Sequence, residues 1–165
     1  MKTVGVQRRV ASLVIAAVLL LLPISPVLAG GPKHRKPVEV TFTKWITPSP
    51  GPLLLAGVAG GDVPGEFAGE VLQVQASTNP DLTPLLRLEA IYEVHAFDPR
   101  YSFSALIRGG QTAVGGAGLL DGVILSGWRT GSQVHVEFQT ISSCAGNPAG
   151  PCFEGTIRIE GDPAE

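Results

Sequence analysis

The chain predicts an all-β domain, an antiparallel eight-stranded barrel; a two-sheet sandwich is the alternative way to bury the same faces. Three observations carry this prediction. After the N-terminal segment no long 3.6-residue periodicity appears, and 21 glycines and 14 prolines interrupt most helix-length windows. Period-2 alternation recurs instead in short segments bounded by turn residues. The alternation is also one-sided, so one face of the sheet is dry and must be covered.

The elements follow in order. Val38 to Ile46 (VEVTFTKWI) is the first strand. Leu53 to Ala59 is continuously apolar, as expected of a strand buried on both faces. Glu66 to Ala76 alternates, and Asn79-Pro80-Asp81 with Pro84 turns the chain. Leu86 to Phe97 (LRLEAIYEVHAF) is the longest clean alternation, ended by Asp98-Pro99-Arg100. Ser102 to Gly109 pairs back. A glycine-rich connection, Gly115 to Gly118, precedes a strand over Gly122 to Trp128. Gly131 turns into Ser132 to Ser142, and Cys152 to Glu160 closes the domain.

Alternation assigns the faces. Phe67, Val71, Leu88, Ala90, Tyr92, Val94, Phe103, Ala105, Ile107, Val134, Val136, Phe138, Phe153, Ile157 and Ile159 point inward. Tyr92 and Thr140, with Gln73 and Gln75 toward one end, are the polar groups expected inside. The opposite face carries the charges. Phe67-x-Gly69-x-Val71 and Phe153-x-Gly155-x-Ile157 each set an inward glycine beside an aromatic ring, which lets strands bend around a small barrel. A glycine-rich chain can also generate such a match by chance.

The N-terminus has the layout of a secretory signal peptide over residues 1–29. Lys2, Arg8 and Arg9 precede an apolar run of 13 residues, Val10 to Leu22, and Val27-Leu28-Ala29 leads to cleavage between Ala29 and Gly30. The run is short of the roughly 20 residues that span a bilayer, so an uncleaved anchor is the lesser alternative. Residues 30–37, which contain the basic run Lys33 to Lys36 between prolines, form a linker; residues 38–160 form the barrel domain and 161–165 a tail.

Export decides what the two cysteines do. In an oxidising compartment Cys144 and Cys152 form a disulfide that staples a turn-rich loop. Two cysteines are too few for a zinc site, and the spacing is not the Cys-x-x-Cys of a redox pair. From Ile46 onward the chain has five arginines, no lysine and thirteen acidic residues, a net charge of −8. That balance excludes nucleic acid as a partner. Membrane contact is expected only through an uncleaved N-terminal segment.

Three stretches, GDVPGEFAGEV (Gly61 to Val71), GGAGLLDG (Gly115 to Gly122) and CFEGTIRI (Cys152 to Ile159), resemble the allene oxide cyclase barrel and the related dirigent barrels. The resemblance covers roughly residues 57–159 and implies an eight-stranded antiparallel barrel with an interior cavity. No position carries the family's catalytic residues across.

No nucleophile–base set, metal motif or dinucleotide fingerprint is present, so no catalytic residue, metal or cofactor is assigned. Glu93 and His95 share one face of one strand, and His135 and Glu137 one face of another. Were those strands neighbours, the four groups could serve a metal or an acid–base pair. The preferred explanation is an ordinary charged outer face. Phe67, Tyr92, Phe103, Phe138 and Phe153 are the candidate cavity lining, unless these rings simply fill the interior. The expected function is binding of a small apolar ligand or a surface partner. The alternatives are a cyclase or isomerase with an apolar cavity and Tyr92 as its polar handle, or a structural surface protein using Trp45 and Trp128 as contacts.

Overall fold

A computed structural model describes residues 36–79, 83–114 and 116–161. The expected signal segment, the Ala29–Gly30 junction, linker residues 30–35 and tail residues 162–165 lie outside the described residues. Eight strands run in chain order: β1 (Val38–Thr47), β2 (Leu53–Gly61), β3 (Gly65–Thr78), β4 (Pro84–Ala96), β5 (Phe103–Thr112), β6 (Gly118–Gly127), β7 (Gln133–Ile141) and β8 (Cys152–Ile159). Each pairs antiparallel with its chain neighbour, and β1 also pairs with β8 from Val38↔Ile159 to Trp45↔Cys152. The sheet is therefore a closed barrel without free edges, and the sandwich alternative falls.

Closure follows from the alternation. On β7 every second residue from Val134 to Phe138 is buried and the residues between them are exposed. The same holds for Ala90, Tyr92 and Val94 on β4 and Phe103, Ala105 and Ile107 on β5. Val71, Leu88 and Phe153 are partly buried against this core. The interior thus contains the residues that the period of two places there. Truncating one of its fully buried members, such as Ile107, to alanine would cost about 2–5 kcal/mol.

The structure differs from the sequence expectation at four places. On β2 only Leu55 is buried; Leu53, Leu54 and Val58 are exposed. A barrel strand has a single dry face, so its apolar run is not buried on both sides. β6 begins at Gly118 rather than Gly122, because Leu119, Leu120 and Asp121 pair with β7. The Asp98-Pro99-Arg100 turn is a short 3-10 helix, Pro99–Tyr101, in which the Asp98 side chain accepts a hydrogen bond from the Arg100 backbone. The fourth difference matters most. The β3–β4 register shifts between Val71 and Gln73, so Leu72 forms a β-bulge. One extra residue reverses the inward–outward phase of the rest of the strand. Gln73 and Gln75 therefore line a groove on the outside, and Val74 takes the inward position.

Cys144 and Cys152 are joined in a disulfide that closes the β7–β8 loop. A side chain on Gly146, within that loop, would collide with the six-membered ring of Trp45. The loop is thus folded flat against β1, next to the Trp45↔Cys152 pair.

A candidate ligand cavity with a buried lysine

On β1 the inward set is Val38, Val40, Phe42, Lys44 and Ile46, at strict alternation. Lys44 is accordingly carried into the barrel and is only 3 % exposed. Its Nζ donates a hydrogen bond to the hydroxyl of Tyr92, which projects inward from β4. The two strands are separated by β2 and β3, so this bond crosses the interior.

Rings surround the amine. Nζ lies 3.8 Å from the ring centre of Tyr92, 4.9 Å from those of Phe42 and Phe138, 5.5 Å from Phe67 and 6.0 Å from Phe153. Space for them comes partly from small neighbours. A Cβ on Gly118 would strike the Phe138 ring, and one on Gly155 would overlap the Phe138 Cβ. Phe67 stacks on Phe42 at 5.3 Å and meets Tyr92 edge-on at 4.9 Å, which packs the region behind the amine.

Two effects compete over the charge. Ring faces attract a cation, by about 0.5–2 kcal/mol per contact. Withdrawing an ammonium from water costs several kcal/mol even after relaxation. No acidic side chain among the described residues offsets that cost. Burial therefore wins and holds the Lys44 pKa well below the ordinary lysine value.

On one side of this amine the barrel is open. A cavity of about 280 Å³ is lined by Lys44, Tyr92, Leu55, Leu120, Phe138 and Phe153 at its buried end and by Ile46, Leu53 and Val74 at its rim. The rim residues are 40 %, 41 % and 52 % exposed, so the entrance itself is apolar. Gln111 also lines the cavity, but its amide is engaged by the Gly116 carbonyl and the Thr140 hydroxyl. The free polar chemistry of the chamber is thus concentrated at Lys44 and Tyr92.

Of the residues expected to line a cavity, Tyr92, Phe138 and Phe153 do so. Phe67 and Phe103 lie in the packed core instead. Interior packing and a hollow coexist, at different levels of the same barrel.

The four-residue polar cluster does not assemble. Glu93 and His95 pair with each other on the outside of β4, at 3.3 Å. His135 on β7 donates to Asp121 on β6, its register partner, and its other nitrogen lies 3.7 Å from Glu160. Glu137 lies on the outer face of β7. Two strands, β5 and β6, separate the pairs. Among the described residues no group of three or more metal-ligating side chains converges.

Trp45 and Trp128 are both half-buried. Trp45 is covered by the stapled loop, and Trp128 packs edge-on against Tyr101 at 5.0 Å.

Lys44 is the polar cavity residue that sequence reasoning missed. Its signal was present, since Val40-Phe42-Lys44-Ile46 places it on the apolar parity. Val74 was missed because a bulge has no signature in the alternation itself.

No protein-family model matches the chain, and no curated protein or solved structure is significantly similar to it.

Proposed function

We propose that this is an exported binding protein for a small apolar molecule, taken into one end of the barrel with its oxygen-bearing end against Lys44 and Tyr92. The observation that carries this reading is the chamber itself: apolar walls, an apolar rim and one amine–phenol pair at the buried end. Apolar walls with a few placed polar groups are the general design of small-molecule sites. Its volume equals roughly nine waters at about 30 Å³ each, room for a chain of about eight to ten carbons. Export is supported by the N-terminal layout, with cleavage after Ala29, and by the disulfide, which suits an oxidising compartment. The resemblance to allene oxide cyclase and dirigent barrels agrees with an interior site.

A thermal-melting titration with 1-decanol tests the reading. A saturable rise in melting temperature is expected, and it should be lost in Val74→Arg, which charges the rim at a position exposed enough to leave the packing intact. A flat titration of the unaltered protein would defeat it.

A further inference from the structure

We propose that Lys44 is a covalent attachment site: its amine condenses with the aldehyde group of an apolar molecule in the chamber and holds it as a reversible imine. This rests on the ligand-binding reading and goes beyond it by naming a reactive atom and a ligand class.

Four features of the site meet the needs of that chemistry. The attacking group must be an uncharged amine, and Lys44 Nζ is enclosed by five rings without an acidic partner. It must be reachable, and it lines a cavity that opens to the outside. A proton carrier must stand beside the nitrogen, and the Tyr92 hydroxyl is bonded to it. Lastly, the product must suit the enclosure, and a neutral imine adds no charge among the rings 3.8–6.0 Å from Nζ.

The step balances without an outside reactant. Nζ attacks the carbonyl carbon and forms a C–N bond while the C=O pair moves to oxygen. One amine proton passes through the Tyr92 hydroxyl to that oxygen, giving a carbinolamine. The second amine proton follows, the C–O bond breaks, water leaves and the C=N bond forms. One amine and one aldehyde thus yield one imine and one water, with Tyr92 restored. Reversal needs only water entering through the rim. The apolar rim selects hydrocarbon aldehydes over hydrated polar ones.

The chain makes the test clean. The full chain has four lysines, Lys2, Lys33, Lys36 and Lys44, which peptide mapping separates, and Lys36 is exposed. The purified protein is incubated with decanal and cyanoborohydride, which fixes an imine as a stable secondary amine, and then mapped by peptide mass spectrometry. The expected result is one decyl group on Lys44, absent in Lys44→Met and suppressed by excess 1-decanol. Glyceraldehyde should leave Lys44 unmodified. Tyr92→Phe should slow formation of the Lys44 adduct by about tenfold or more. Modification confined to Lys2, Lys33, Lys36 or the chain terminus overturns the proposal, as does Lys44 labelling by glyceraldehyde and decanal alike. Peptide mapping of the unaltered protein decides the matter even if Lys44→Met fails to fold. If 1-decanol raises the melting temperature and Lys44 stays unlabelled, the covalent step falls and ligand binding stands. If neither occurs, both fall.

Discussion

Lys44 and Tyr92, 48 residues apart in the chain and on strands that are not paired in the sheet, are joined by a hydrogen bond across the barrel interior. The amine sits both at the Tyr92 hydroxyl and 3.8 Å from the centre of its ring. This one contact links the closure of the sheet to the chemistry of the chamber. Inward parity on β1 and on β4 brings the two groups together only because the sheet closes into a tube.

The buried amine makes stability depend on pH with a definite sign. In the unfolded chain Lys44 binds its proton up to about pH 10.4. In the folded chain it releases the proton well below that value. Between the two values the unfolded state holds the extra proton, so unfolding free energy rises with pH, by at most about 1.4 kcal/mol per pH unit. The contribution is complete above the unfolded value and is lost as pH falls toward the folded one. Chemical denaturation of the unaltered protein and Lys44→Met, side by side from neutral pH to 10, should show this extra slope only in the former.

Replacing the lysine should not weaken the fold. Lys44→Met keeps a similar volume and removes the desolvation of an amine, so at neutral pH the variant should be as stable as the parent or more so. Tyr92→Phe behaves oppositely. It leaves the buried Nζ without its acceptor and should cost about 1–3 kcal/mol in urea denaturation. A stabilised Tyr92→Phe would show that the amine has another partner.

The bulge at Leu72 yields a test of the rim. Leu72 is 48 % exposed and is the extra residue in β3. Deleting it leaves Val71 and Val74 inward and Gln73 outward in plain alternation. The deletion variant should therefore fold and still bind 1-decanol. Loss of binding together with a stable fold would mean that Val74 does not form the entrance.

The disulfide stabilises through the unfolded chain. Closing so short a loop contributes about 2.5 kcal/mol in the chain-entropy model. Cys144→Ser with Cys152→Ser should lower stability by about that amount in equilibrium denaturation. Gly146 should leave its place against Trp45, which a change in the tryptophan fluorescence would report.

Most of the architecture was legible because alternation is a direct record of which face is dry. β4, β5 and β7 were read nearly to their ends, and the inward set on them is the buried set. Misjudged features have physical reasons. The apolar run of β2 looks doubly buried only if the sheet is covered on both sides, which a barrel is not. β6 gained Gly118 to Asp121 because their ladder to β7 outweighs the turn character of the glycines. Gln73 and Gln75 turned outward because one unpaired residue reverses parity, and nothing in the local pattern marks it. At the site, Tyr92, Phe138 and Phe153 were visible as inward aromatics. Lys44 shares the inward parity of Val40 and Phe42 on β1, a strand whose faces the sequence argument left unassigned. The Glu93–His95 and His135–Glu137 pairs could not be judged without strand order, which places β5 and β6 between them.

The central claim is that a buried amine with a depressed pKa faces an apolar chamber that takes up a ligand. It is tested most directly by nuclear magnetic resonance of protein labelled with ¹³C at lysine Cε, titrated with alkali and then with 1-decanol, the Lys44 signal being assigned by its loss in Lys44→Met. The account predicts a Lys44 signal whose titration midpoint lies well below the unperturbed value of about 10.4 and which shifts saturably as 1-decanol fills the chamber. A Lys44 signal that titrates at the unperturbed value and ignores 1-decanol would contradict it.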